Sequence, residues 1–349
     1  MDSGIARPGR ILVYELNWLG DILFSFPLLR TLRNSFPGAH ISCAVVPRYK
    51  ELLANVPWVD SVYTLSDRTG IFSVFEKTVF IRKLQKDRFD MCFLLKPSRT
   101  KTLMAAMAGI PVRIGFEGKN APLTEQVEMP EEKLHRAEQI LTLAVPAGIS
   151  RAESHYEYFV KDEDVKKTDK LLSSMGAGNR RIVALNPGGN WGSKRWPAEN
   201  FVKLARMLLE RFPDVEIMVT GAGKDLSLAS AIASRAGSDR CYSMAGKTGL
   251  NELAALLKKS ALMISADSGP LHLASAVGAT TIAIFGPTSW KITGPRGTGK
   301  SIILSKKVSC EIPCYEAVCG KDYECMRLIT AEEVFKAAEL ELLSQDERQ

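Results

Sequence analysis

Four short segments hold the residues of this chain whose types and spacing could do chemistry. The first is Asn17-Trp-Leu-Gly-Asp21, whose carboxylate stands where a helix is about to start. An acidic side chain there is favoured by the helix dipole and is also a common cap. The second is Asn186-Pro-Gly-Gly-Asn-Trp-Gly-Ser-Lys-Arg-Trp-Pro197. Its glycines, Gly189 beside Asn190 among them, let backbone amides approach a ligand closely, and Lys194 and Arg195 add positive charge. The spacing is not that of a P-loop. A solvated surface loop is the plain alternative, against which stand two indoles, Trp191 and Trp196, of a kind usually part-buried. The third is Thr220-Gly-Ala-Gly-Lys-Asp225, which lacks the third glycine of a dinucleotide fingerprint. Asp225 suits a helix cap and a ribose diol equally. The fourth is Asp267-Ser-Gly-Pro-Leu-His272, where a carboxylate, a hydroxyl, free amides and an imidazole converge on one helix N-terminus. Such an end attracts anions, above all phosphate.

The elements that must position these groups are legible from periodicity. Leu262 to Ala266 and Thr280 to Phe285 are apolar runs suited to strands buried on both faces, with a small-residue helix from Leu271 to Val277 between them. Ser268 or Asp267 caps that helix, and Pro270 suits its first turn. Upstream, strands are expected at Ile11–Leu16, His40–Val46, Ser61–Leu65, Met91–Leu95 and Arg113–Phe116. Helices are expected over Ile22–Phe36, Ile71–Lys86, Thr100–Ala108 and His135–Ala147. After a junction over Gly148–Asp164 the alternation restarts, with strands at Ile182–Leu185, Glu216–Val219 and Cys241–Met244. It ends in an amphipathic helix from Ala331 to Leu343. Alternating strands and helices at this spacing mean parallel βαβ units and an α/β, doubly wound sheet in each half. In such sheets ligands sit beyond the carboxyl ends of the strands. The last three segments therefore line one edge of the second sheet and suit a nucleotide diphosphate, while Asp21 belongs to the first half.

The 349 residues are 46% hydrophobic and 24% charged, enough for two ordinary domains. The net charge of +7 favours anionic partners, and the absence of a basic run interleaved with aromatics excludes nucleic acid as the favoured one. No apolar run is long enough to span a bilayer, and the N-terminus lacks the hydrophobic core of a signal peptide, so a cytoplasmic location is expected. Cys43, Cys92 and Cys241 look like small core residues. Cys310, Cys314, Cys319 and Cys325 cluster within sixteen positions, which invites a zinc reading, but neither pair has the usual two-residue spacing. Reduced thiols packing a loop are the favoured expectation, with no metal ligands assigned.

Taken together, Leu19-Gly-Asp21 with Pro27-Leu-Leu29, Asn186-Pro-Gly with Lys194-Arg-Trp-Pro197, Gly221 to Asp225, Asp267 to His272 and Phe285-Gly-Pro-Thr288 resemble glycosyltransferase family 9 over nearly the whole chain. These are the bacterial ADP-heptose:lipopolysaccharide heptosyltransferases, and the likeness is to heptosyltransferase II. The resemblance implies a GT-B fold of two Rossmann-like doubly wound domains facing a central cleft. An acceptor domain would cover residues 1–155, a nucleotide-sugar domain 156–330 and a C-terminal helix 331–349. It implies inverting transfer of heptose to the inner core, with Asp21 as base, Lys194 and His272 on the diphosphate, Asp225 on the ribose and Met244 near the adenine. Asp267, Ser268 and Gly269 form the donor turn. Gly189 and Asn190 stand where some members have two threonines, so backbone amides replace hydroxyls there. It implies no required cofactor, a nucleotide-sugar donor, a lipopolysaccharide inner-core acceptor and peripheral contact with the anionic inner face of the inner membrane. The alternatives are a member using another nucleotide sugar, and a nucleotide-binding module without transferase activity.

Overall fold

The computed structural model describes residues 7–66, 71–118, 122–130, 134–150, 152–189, 191–314, 316 and 318–347. The chain divides into two units, Met1–Phe159 and Val160–Gln349. Aromatic packing holds residues 156–159 in the first unit. Tyr156 lies edge-on to Phe24, Tyr158 stacks on Phe26, and Phe159 meets Trp58.

Among the described residues twelve strands form two six-stranded sheets, and every pairing is parallel. In the first unit these are β1 (Arg10–Tyr14), β2 (His40–Val45), β3 (Ser61–Thr64), β4 (Met91–Leu94), β5 (Val112–Phe116) and β6 (Glu125–Val127). The second unit holds β7 (Arg181–Asn186), β8 (Val215–Val219), β9 (Cys241–Ser243), β10 (Ser260–Ala266), β11 (Thr281–Phe285) and β12 (Ser301–Ser305). The strand orders are β3-β2-β1-β4-β5-β6 and β12-β11-β10-β7-β8-β9. Read from opposite edges these are the same doubly wound order, so each sheet reverses direction once, between β1 and β4 and between β7 and β10. Both units are thus Rossmann-like, as expected.

The central strands are buried on both faces, which is why they read as unbroken apolar runs. The four edge strands fall outside that pattern, and two of them, β6 and β12, also fall outside the expectations above. Glu125–Val127 is largely exposed, and Ser301–Ser305 is only part-buried. The expected helix over His135–Ala147 is α-helical only to Leu141 and continues as 3-10 turns, with Pro146 inside them. The C-terminal helix Ala331–Asp346 is an integral part of the second unit. Ala331, Val334, Ala338 and Leu342 share one core with Phe201, Leu204 and Leu208 of the helix Ala198–Arg211.

Candidate functional site

The reversal point of the second sheet places the carboxyl ends of β7 and β10 side by side, with Leu185 opposite Ile264 and Asn186 opposite Ser265. The loops leaving these strands carry most of the residues singled out in the sequence. Asn186 forms the floor. Its Nδ2 donates to Ser265 Oγ at 3.2 Å, to Ser268 Oγ at 3.2 Å and to the Gly188 carbonyl at 3.3 Å. Its Oδ1 accepts from Thr220 Oγ1 at the end of β8, 3.3 Å away. Ser265 and Ser268 share a hydrogen bond of 2.8 Å. Every member is buried or part-buried and hydrogen-bonded, so the network fixes the three strand ends relative to one another.

On this floor stands a charged cluster. Ser268 caps the helix Gly269–Ala276, its Oγ accepting from the Leu271 amide at 3.4 Å, and Pro270 occupies the first turn. Of the two candidate caps it is therefore Ser268 that serves, and Asp267 is released for another contact. Lys194 Nζ donates to Asp267 Oδ2 at 2.8 Å, and His272 Nε2 lies 3.4 Å from Asp267 Oδ1. Burial pushes the Asp267 carboxyl up, but the hydrogen bond from His272 and the charge of Lys194 outweigh it and hold the group well below the usual carboxylate range. Lys194 also lies over the Trp191 ring at 5.5 Å, and that ring is exposed. Trp196 is the structural indole, its Nε1 donating to the Ile329 carbonyl at 2.7 Å.

Asp225 is buried beside this cluster. Its Oδ2 accepts from the Ala222 amide at 3.1 Å, and its Oδ1 is 4.0 Å from Arg195. A Cβ on Gly188 would come within 2.9 Å of Asp225 Oδ2, and one on Gly221 within 2.9 Å of the Asp225 Cβ. These two glycines therefore make room for Asp225. Arg195 turns back on its own loop, donating to the Gly189 carbonyl at 2.7 and 3.1 Å. Met244 is buried just past β9, its amide bonded to the Val219 carbonyl. Asn190 lies outside the described residues.

Asp21 belongs to the first unit. The helix that bears it, Leu19–Ser35, starts earlier than the sequence suggests. Trp18 is the extended residue before it and offers no side-chain cap, so Asp21 lies inside the first turn, where the dipole still favours a carboxylate.

The seven cysteines are free thiols, with Cys43 and Cys92 fully buried in the first unit. Cys319 Sγ accepts from the amides of Lys321 and Tyr323 at 3.4 and 3.3 Å. Burial, with Cys319 and Cys310 nearby, pushes the Cys325 thiol up. The Cys314 amide bonds to the Pro287 carbonyl at 2.7 Å and ties this segment to the end of β11. Among the described residues no group of three His, Cys, Asp or Glu is arranged to hold a metal ion.

The sequence puts Asp267 and His272 on one helix N-terminus and Lys194 in a neighbouring loop of the same sheet edge, and the fold makes Asp267 the link between them. Asn186 appears there only as the start of a loop, and Ser265 and Thr220 go unremarked as network members. The one available signal is a polar residue ending each of three apolar strands.

A family description, glycosyltransferase family 9 (heptosyltransferase), matches residues 78–322, more than half of the chain. The chain belongs to glycosyltransferase family 9. It is accordingly a glycosyltransferase, and the second-unit cluster lies wholly within the matched region, whereas Asp21 precedes it. Relatives include lipooligosaccharide heptosyltransferase 2 of Haemophilus influenzae, 28% identical with 84% of this chain and 88% of that protein covered. Lipopolysaccharide heptosyltransferase 2 of Escherichia coli is 26% identical over 82% of this family 9 chain and 85% of the relative. The solved ADP-heptose lipopolysaccharide heptosyltransferase II of E. coli superposes with a TM-score of 0.82 at 22% identity, covering 97% and 99% of the two chains. Each unit therefore has the Rossmann-like fold expected of the GT-B class. Among the described residues, no helix is long and apolar enough to cross a membrane.

Proposed function

We propose that this family 9 enzyme transfers heptose from ADP-heptose to the lipopolysaccharide inner core with inversion at the anomeric carbon. The donor binds the unit Val160–Gln349 and the acceptor the unit Met1–Phe159. The observation that carries the reading is the Lys194–Asp267–His272 cluster at the reversal point of the second sheet, beside an N-terminal helix end. The names of the relatives supply the sugar and the acceptor.

In the reaction the acceptor oxygen bonds to the anomeric carbon as the bond from that carbon to the diphosphate oxygen breaks. Asp21 takes the hydroxyl proton, since a sugar hydroxyl is a poor nucleophile until that proton leaves. Negative charge grows on the β-phosphate. Lys194, His272 and the amides of Ser268 and Gly269 meet it, and preorganised donors of this kind stabilise such charge strongly in a site shielded from water. Asp267 carries negative charge and would repel phosphate directly. Its part is to hold the two cationic or donor groups in place. Asp225 receives the ribose hydroxyls, Met244 borders the adenine, and the backbone of Gly189 replaces side-chain hydroxyls near the sugar. The reaction belongs on the cytoplasmic side of the inner membrane, with the enzyme touching the anionic lipid surface peripherally.

The test is turnover of ADP-heptose and of other nucleotide sugars by the full chain with a purified inner-core acceptor. Transfer from ADP-heptose with release of ADP is expected. Asp21→Asn should lower kcat by about 10²–10⁴-fold and leave the KM for donor nearly unchanged. Exclusive use of another nucleotide sugar would establish the second reading. Binding of ADP with no transfer from any donor would refute transferase action, and full activity in Asp21→Asn would remove that residue from the mechanism.

A further inference from the structure

The first sheet carries a carboxyl group at its own reversal point that the mechanism above does not use. Glu15 directly follows β1 and is 1% exposed. Its Oε2 accepts from Ser25 Oγ at 2.8 Å, and its Oε1 accepts from Cys43 Sγ of β2 at 3.7 Å. Its carbonyl oxygen accepts from Lys101 Nζ at 3.3 Å. Lys101 lies in the first turn of the helix Arg99–Met107, which follows β4, the strand paired with β1. Ser25 lies four residues after Asp21 on one helix, hence on the same face one turn along. Glu15 thus ties together β1, β2, the helix of Asp21 and the helix that follows β4.

Burying a carboxyl group carries a large desolvation cost, and an apolar residue of similar size would pack there without it. We infer that Glu15 is a positioning residue for the transfer reaction: through Ser25 it fixes the first turns of the helix that presents Asp21, and through Lys101 it fixes the neighbouring helix start. The inference rests on Asp21 being the base.

The titratable groups that face Glu15 are Cys43 from β2 and Lys101 from the helix after β4. Burial pushes the carboxyl up to about 7, against the hydrogen bonds of Ser25, Cys43 and the Leu16 amide and the charge of Lys101. Burial and the repulsion of Lys96 lower Lys101 in turn, with Glu15 opposing them. The ionised carboxylate is the form that the hydrogen bonds of Ser25 and Cys43 and the charge of Lys101 all favour, whereas the neutral acid loses that charge and brings a donor of its own to Ser25, whose hydroxyl can turn to the Ile22 carbonyl 2.6 Å away. On protonation one oxygen becomes a donor, and that set of contacts must rearrange. The brace is therefore complete above neutrality and incomplete below it.

The experiment is kcat for ADP-heptose and inner-core acceptor, both saturating, as a function of pH. The wild-type value should rise with a limb near the Glu15 value of about 7. Glu15→Gln keeps an acceptor for Ser25 and removes the charge. It should lower kcat about tenfold at alkaline pH, leave the KM for ADP-heptose within about twofold and abolish the limb. Ser25→Ala removes a hydrogen bond that favours the ionised form, so its limb should move to higher pH. An unchanged limb in Glu15→Gln, or an unshifted one in Ser25→Ala, overturns the inference. Amide hydrogen exchange over residues 19–25, corrected for intrinsic rates, gives a readout that needs no turnover. Protection should rise with pH in the wild-type protein and not in Glu15→Gln, and equal behaviour overturns the brace. Absence of turnover with every donor is a separate result that sinks the transferase reading alone.

Discussion

Replacing Asp267 with asparagine keeps the shape of the charged cluster and removes its negative member. In the wild-type chain the Asp267 side chain is 7% exposed, Lys194 25% and His272 3%. Removing one partner of a buried ion pair costs roughly 3–5 kcal/mol, because the remaining charge stays buried without compensation. A quarter of Lys194 reaches water, so the expected cost is lower, about 2–3 kcal/mol. For a unit of this size that corresponds to a fall of about 5–10 °C in Tm. The pH dependence follows from the depressed folded-state value of Asp267. A carboxyl that releases its proton more readily when folded adds stability above its ordinary value, and that stability is lost as pH falls through the folded value. The gap between wild type and Asp267→Asn should therefore be wide at neutral pH, begin to shrink below about pH 4 and close only as pH falls towards the folded value. Lys194→Met should also blunt it, since the two changes share one contact and their effects should differ from additivity by about 1 kcal/mol or more. Thermal melts followed by circular dichroism, with no nucleotide present, measure Asp267→Asn, Lys194→Met and the double variant. A neutral-pH melt within about 1 °C of wild type, or a gap that does not change with acid, would refute the view of Asp267 as an ionised hub.

Glu15 has the opposite sign: its folded value lies near 7 against an ordinary 4.5, so its stabilising share is present below the ordinary value and lost as pH rises through the folded one. Urea unfolding of wild type relative to Glu15→Gln should show a loss of about 3 kcal/mol across that interval, and parallel pH curves would count against it. Gly188→Ala drives a methyl group onto Asp225 and should raise the KM for ADP-heptose about tenfold, whereas Gly189→Ala, whose added Cβ would first meet the flexible Arg195 side chain at 3.7 Å, should change it by about twofold or less. Steady-state kinetics of the pair distinguishes these outcomes. Trp196→Phe leaves the Ile329 carbonyl without its indole donor and should lower stability by about 2 kcal/mol in denaturant titrations while preserving catalysis.

The sequence by itself determined the alternation of elements and the local chemistry of the turns. Ile264 to Phe285 is legible because parallel strands buried on both faces are apolar at every position, and because Ser268 and Pro270 favour a helix start by local hydrogen bonding and a preset φ. The edge strand β6 was not legible, since Glu125–Val127 is three residues, largely exposed and mostly polar, whereas the apolar run of β12, Ile302 to Leu304, is too short to mark a strand by itself. The candidate site was visible as a set of residue types and motifs, but not as an arrangement. Gly188 reads as a residue that admits a ligand, and only the approach of Asp225 shows that it makes room for a side chain. Lys194 and Asp267 are 73 positions apart, and Glu15 and Lys101 are 86. Periodicity tells which face of an element is buried, whereas the strand order decides which loops meet. That order brought Lys194 to Asp267 and Lys101 to Glu15, because each sheet reverses between the very strands whose loops carry these groups.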